Sequence, residues 1–206
     1  MNIILSLIFA ALAGQDGTTA APQLTAQQKQ EVQRAQQQQE QKQQVVSGPI
    51  TLAASTKKKI LEVRVGGVTT KRYDVAVGTK GHPTPNGTFT VRHIVWNPAW
   101  HPPDASWAKG KKPTPPGHPK NPMKVVKIFF QEPDYYIHGT GDEDSLGEAA
   151  SHGCIRMSQK DAFALGRYLM DHGGAPKSDS WYAGVFSKGV SADIHLPKGV
   201  GLVIGP

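Results

Sequence analysis

The stretch Tyr136-Ile137-His138-Gly139-Thr140, continuing after an acidic segment to Ser151-His152-Gly153-Cys154-Ile155-Arg156-Met157, decides how this chain is read. It holds the single cysteine of the 206 residues, and a glycine adjoins both His138 and Cys154. A thiol is a nucleophile only as thiolate, which needs a neighbouring base or positive charge. A glycine just before the cysteine leaves a backbone N–H open to a bound carbonyl, as an oxyanion hole requires. Residues 141–150 read as a loop across which His138 and Cys154 meet. The stretch reads as a cysteine acyl-transfer site, with the thiol pulled below its ordinary pKa of about 8.5 by the histidine.

Outward from this stretch the pattern is mostly of period two. Leu61, Val63 and Val65 alternate with Glu62 and Arg64, the mark of a half-buried strand. Gly66-Gly67 is a hairpin signal, and residues 68–78 return with Tyr73, Val75 and Val77 on one face. Residues 88–95 alternate through Phe89, Val91, His93 and Val95, which places His93 as a core histidine rather than a ligand. Residues 125–130 and 135–138 are two more strands, the second ending at His138. Residues 193–196, a turn at Pro197-Lys198-Gly199 and residues 200–204 form a closing hairpin. Ser158-Gln159-Lys160-Asp161 has the form of a capping box opening a helix to about His172, with Ala162, Phe163, Leu165 and Leu169 as its apolar face and Gly173-Gly174 as its stop. Many short strands and one clear helix give a mostly-β domain with a helix packed on it. Residues 58–206 suffice for one domain with its own core.

The N-terminal part is different. Residues 3–13 are apolar but too short to span a bilayer as a helix, which takes about 20. Ala11-Leu12-Ala13 follows as an A-x-A cleavage signal, so residues 1–13 are expected to be a signal peptide, with no stable membrane span after cleavage. Residues 14–57 are expected to be a linker. Its segment 23–44 holds twelve glutamines and only Leu24 and Val32 as large apolar residues, which predicts disorder or a solvated single helix.

The formal net charge is +7, and the long Pro- and Gly-rich connection 97–123 carries Lys109, Lys111, Lys112 and Lys120. Such a surface attracts an anionic polymer. Nucleic acid is disfavoured because none of its binding motifs is present. One cysteine forms no internal disulfide, which leaves a free reactive thiol. His101 and His118 lack a thiol or acidic ligand at zinc spacing, so neither a metal nor another cofactor is expected.

The spelling of the central stretch resembles the signature of the L,D-transpeptidase catalytic domain, a family of bacterial enzymes that remodel the peptide stems of peptidoglycan. Ser145-Leu146-Gly147, His82-Pro83-Thr84-Pro85-Asn86-Gly87-Thr88-Phe89 and Trp96-Asn97-Pro98-Ala99-Trp100 are similar to further landmarks of that family and stand in its order. The resemblance covers residues 59–206 and implies the β-sandwich-like fold of that domain. It implies Cys154 as nucleophile on the carbonyl between the third and fourth residues of a tetrapeptide stem, with release of D-Ala and transfer to an amine acceptor. That acceptor is a second stem peptide or a wall-anchored protein. His138 matches the general base, with the Gly139 carbonyl as the orienting third member, and the backbone N–H groups of Gly153 and Cys154 serve the oxyanion. His152 matches a pocket histidine. Ser151 supports His152 or His138, or stabilises the loop. Arg156 matches an arginine suited to a substrate carboxylate, or else pairs with Asp142, Glu143 or Asp144. Tyr136 and Thr140 are wall residues, and the 97–123 connection is a flap facing substrate or a basic loop packed on its tryptophans. An exported, periplasmic or cell-envelope location follows. The alternatives are an L,D-carboxypeptidase built on the same site, and a non-catalytic wall-binding module. A papain-like protease is disfavoured because its cysteine precedes its histidine in the chain.

Overall fold

The computed structural model describes residues 25–46 and 48–206; the expected signal peptide and its cleavage site lie outside the described residues. Contacts divide the chain into two units, Met1–Lys42 and Gln43–Pro206. The Gln-rich segment forms helix α1 (Ala26–Val46). Its start is a reciprocal capping box: Thr25 N–H donates to Gln28 Oε1 at 2.9 Å and Gln28 N–H to Thr25 Oγ1 at 3.3 Å. Over residues 26–37 every side chain but Val32 is exposed, so this is the solvated single helix, without an apolar stripe. No described helix is long and apolar enough to cross a membrane.

The second unit is built on β1 (Ile50–Ser55), β2 (Ile60–Val65), β3 (Val68–Asp74), β4 (Val77–Gly78), β5 (Gly87–Trp96), β6 (Val126–Gln131), β7 (Tyr135–Thr140), β8 (Ala149–Ser151), β9 (Ile155–Ser158), α2 (Gln159–Gly173), α3 (Asp179–Ser187) and β10 (Ala192–Gly205). Eight strands form one sheet in the order β3-β2-β1-β10-β5-β6-β7-β9, and β4 pairs with β8. The pairs β1–β10, β7–β9 and β4–β8 are parallel and the others antiparallel. The mostly-β architecture agrees with the sequence reading.

Four elements differ from expectation. The linker ends before residue 57, because residues 50–55 are a strand pairing with both β2 and β10. The closing hairpin is instead one strand: both halves of β10 pair with β5, and residues 196–199 form an irregularity between His195 and Val200. Opposite that irregularity the buried set of β5 passes from Val91 to Ile94 and Trp96, so Arg92 and His93 both leave the core. His93 is therefore a half-buried residue of the other sheet face, not a core histidine. A further helix, α3, starts where the Ser178 hydroxyl accepts from Trp181 N–H. Its Tyr182 packs edge-on against Trp96 at 4.8 Å.

Helix α2 begins as its spelling predicts. Ser158 Oγ accepts from Asp161 N–H at 3.0 Å and donates to the Asp161 carboxylate at 2.8 Å. Gly174 ends it with φ 85°, the left-handed conformation that favours glycine. Its buried Ala162, Leu165, Leu169 and Met170 cover the sheet. Gly166 lets Trp96 approach, since a Cβ there would lie 3.0 Å from the indole.

The register explains how one set of strands supplies both core and site. Ile94, Ile128, Ile137 and Ile155 are successive partners across β5, β6, β7 and β9, and all are fully buried. Side chains alternate along a strand, so the next row, Val95, Lys127, His138 and Arg156, faces the opposite way.

Candidate active site

Tyr136 and Cys154 each stand one residue before a core isoleucine, Ile137 and Ile155, which are partners in the parallel β7–β9 ladder. This places both on the same face as His138 and Arg156. His138 is buried, and one ring nitrogen lies 2.8 Å from the Gly139 carbonyl. A carbonyl only accepts, so that nitrogen carries the proton and the other holds the lone pair. Burial drives His138 down to about 4, against the opposing pull of the Gly139 and Pro122 carbonyls and with the help of the Arg156 and Lys127 charges. The ring is thus a neutral imidazole of fixed tautomer.

The Cys154 thiol donates to the Asp134 carbonyl at 3.3 Å. Burial pushes it up to about 11, although the Tyr136 backbone N–H and hydroxyl, Lys127 and Arg156 all favour the thiolate. The sequence expectation of a lowered thiol is reversed in the resting site, because burial outweighs the four groups that favour charge. Two of those groups were missed in the sequence. Tyr136 is more than a wall: its phenol faces the sulfur, its own ionisation is pushed up by burial and by Cys154, and its ring meets His138 edge-on at 5.5 Å. Lys127, the cross-strand partner of His138, puts its ammonium 4.8 Å from the Tyr136 ring centre. Burial lowers its pKa. The signal available for Lys127 was a lysine in an otherwise apolar strand, one residue before Ile128.

The residues around the cysteine divide by task. Ser151 is buried; its hydroxyl donates to the Cys154 carbonyl at 2.6 Å and accepts from Gly153 N–H at 3.1 Å. It therefore stabilises the loop and touches neither His152 nor His138 through a hydrogen bond. Gly153 N–H is engaged there and is not open to an oxyanion, which leaves the Cys154 N–H of the expected pair. Glycine is needed at 153 for another reason. Its φ is 110°, and a Cβ would lie 2.7 Å from the Tyr135 ring. Thr140 is buried as well and accepts from Asp142 N–H at 3.0 Å, so it shapes the turn after β7 instead of lining a pocket.

His152 is exposed and stacks on Trp107 at 4.1 Å between ring centres, with His82 4.9 Å away and Lys111 over the same indole. Burial first, then the charges of His82, Arg156 and Lys111, lower its pKa. The 97–123 connection packs one of its tryptophans inward and stacks another on His152. Trp100 is packed beneath, held by a bridge to Thr114, while Trp107 reaches His152. Asn121 ties the loop by donating to the Pro98 and Pro115 carbonyls and accepting from Met123 N–H. Arg156 lies 3.9 Å from Asp142, too long for a bidentate pair, and its backbone is fixed by Ala76 on both sides.

This geometry offers a thiol, an imidazole with one free lone pair, a phenol and two cations on one sheet face. Such a set suits acyl transfer, in which a base removes a proton as sulfur attacks a carbonyl.

Comparison with known proteins agrees. A family model, the L,D-transpeptidase catalytic domain (YkuD), matches residues 49–175. YqjB of Bacillus subtilis (strain 168), which carries the L,D-transpeptidase name, is 35% identical over 111 residues, covering 52% of this chain and 56% of its own length. YkuD of the same strain is 31% identical over 117 residues, covering 57% and 58%. The chain thus spans a little over half the length of these curated relatives. Among solved structures, an L,D-transpeptidase from Mycobacterium tuberculosis H37Rv is similar at 16% identity and a TM-score of 0.46, over 75% of this chain and 57% of that one. The family model starts at the residue before β1 and spans more than half of the chain, which belongs to the L,D-transpeptidase catalytic domain family.

Proposed function

We propose that this domain is a peptidoglycan L,D-transpeptidase working through a Cys154 thioester. The observation that supports it most is the convergence on one sulfur: Tyr136 offers it a backbone N–H and a hydroxyl, and Lys127 and Arg156 add charge. A thiol near 11 and an imidazole near 4 do not exchange a proton at rest. Proton transfer to His138 therefore accompanies attack. As the C–S bond forms on the carbonyl between the third and fourth stem residues, His138 takes the thiol proton. It then returns that proton to the departing D-Ala amine as the C–N bond breaks. The Cys154 backbone N–H serves the oxyanion, and Tyr136 stabilises the developing charge. An acceptor amine attacks the thioester, loses a proton to His138 and expels the sulfur, which is reprotonated.

Arg156, held to Asp142 only by a long 3.9 Å contact, is the group for a stem carboxylate, and the Trp107–His152 stack is a candidate wall. The acceptor is a second stem or the amine of a wall-anchored protein. We place the protein in the periplasm or cell envelope, after removal of residues 1–13. The test is mass spectrometry of purified tetrapeptide muropeptides incubated with the protein. Dimers joined between third residues, with loss of D-Ala, are expected. Tripeptide alone would identify a carboxypeptidase, and unchanged substrate would leave a wall-binding module.

A further inference from the structure

We propose a divalent metal site, of the zinc class, formed by His93 Nε2, Asp193 Oδ1 and His195 Nε2 on the outer face of β5 and β10. The three ligand atoms lie within 4.8 Å of one another. Asp193 Oδ1 is 2.8 Å from His93 Nε2 and 3.5 Å from His195 Nε2. Ligands held at zinc's usual N and O distances of about 2.0–2.1 Å in a tetrahedron stand about 3.3 Å apart, close to both Asp193 separations, and the exposed His195 ring has to turn from its stack on His93 to bring the two imidazole nitrogens to the same ion. Two imidazoles and one carboxylate with the remaining positions open are a ligand set that suits zinc among the divalent ions.

The backbone builds this arrangement. His93 and His195 are direct partners in the antiparallel ladder, and their rings stack at 4.5 Å and 17°. Asp193 stands two residues before His195 and so shares its face. The irregularity at residues 196–199 is what turns His93 out of the core, so the cluster exists because of it.

A second observation points to a cation. The Nδ1 of His93 lies 3.0 Å from the Glu132 carboxylate, while its Nε2 faces Asp193. Ionised carboxylates only accept, so both are satisfied when the ring carries a proton on each nitrogen or when a metal cation takes the place of the proton at Nε2; titration with zinc separates the two. A carboxylate on the far nitrogen of a ligating histidine is also the usual support that fixes tautomer and ring orientation at such centres. Phe129 closes the inner side by stacking on His93 at 4.7 Å, and the side chains of Asp193 and His195 are 59% and 74% exposed, which gives an ion access. Bound there, the ion would clamp β10 to β5 beside the irregularity. It departs from the sequence expectation of no metal, which weighed His101 and His118 and placed His93 as a core histidine rather than a ligand. It is independent of the proposed turnover, because its readout is binding.

The test uses the full chain without a polyhistidine tag, carrying Cys154→Ser so that the active-site thiolate takes no metal. Calorimetric titration with ZnCl2 at pH 7.5 is expected to give one saturable equivalent, and a rise in melting temperature. Co2+ should give the intense visible bands of a low-coordinate site. His195→Ala and Asp193→Asn should each weaken Zn2+ at least tenfold, and Glu132→Gln about 10–100-fold through lost support. His118→Ala should bind as the parent does. Affinity should fall from pH 7.5 to 5.5 as imidazole protons compete. Absence of a saturable equivalent overturns the proposal, as does zinc binding that both His195→Ala and Asp193→Asn, checked for an unchanged circular dichroism spectrum, leave intact.

Discussion

Two polar centres on this sheet treat their titratable groups in opposite ways. On β2 and β3, Glu62 accepts two donors from Arg64, two from Arg72 and one from Thr69. The Arg72 guanidinium first, and Arg64 next, hold its carboxyl down to about 2. On β7 and in the turn before β9, His138 and Cys154 have no hydrogen-bonded partner of opposite charge, and burial keeps both neutral. The first centre is a pair that stays ionised and joins two strands. The second holds a thiol and an imidazole uncharged. The lesson is that a covered group stays ionised only where hydrogen-bonded partners of opposite charge outweigh its desolvation, as at Glu62 and not at Cys154.

The largest effect should come from removing the neutral pair. Cys154→Ala and His138→Ala should each lower acyl transfer by roughly 10^4-fold or more, with Cys154→Ala melting where the parent does. Retained turnover in Cys154→Ala would place the chemistry elsewhere.

The pH profile sharpens the contrast next. Alkylation of folded protein by iodoacetamide should climb until about pH 11, well past the ordinary thiol near 8.5. A plateau below pH 8 would mean that the cations dominate burial. His138 keeps its lone pair down to about pH 4, so the acid limb of kcat/KM should fall near 4. Its folded pKa lies below the unfolded value of about 6.5. The unfolded chain therefore binds the proton first, and stability from this residue is present above pH 6.5 and lost as pH falls toward 4.

Tyr136→Phe keeps the ring and removes the hydroxyl that faces the sulfur. Loss of one such donor should cost about 10^2–10^3-fold in acylation and push alkylation to still higher pH. Unchanged acylation by a tetrapeptide would return Tyr136 to a wall residue. Gly153→Ala forces a Cβ to 2.7 Å from Tyr135 at φ 110°. It should destabilise the fold by about 1–3 kcal/mol in urea unfolding. A fall in activity should accompany that loss.

Glu62→Gln should have the smallest effect, confined to acid. The folded pKa lies below the unfolded one of about 4.3, so the stabilisation is present above that pH and lost as pH falls to about 2. The variant should flatten the acid-unfolding curve over this window and leave turnover at pH 7 unchanged. An identical acid-unfolding curve would show that the arginines contribute nothing through this charge.

What the sequence determined by itself is local. The spelling of 136–140 and 151–157 placed the candidate nucleophile and base. Ser158 and Asp161 fixed the start of α2 because a capping box closes within four residues. Period-two alternation gave β2, β3 and β5, since burying one face of a strand needs no knowledge of its neighbour. Only the tertiary structure decided the rest. Residues 50–55 become a strand through parallel pairing with residues 201–205, some 150 positions away, which no local pattern encodes. His93 leaves the core because four residues of β10 stand unpaired opposite Arg92, an event on another strand. Ser151, Gly153, Lys127 and Tyr136 took their tasks from the turn before β9 and from the register that aligns Ile137 with Ile155. The charge state of Cys154 was decided last, because desolvation is a property of everything packed around a group and not of the residues beside it in the chain.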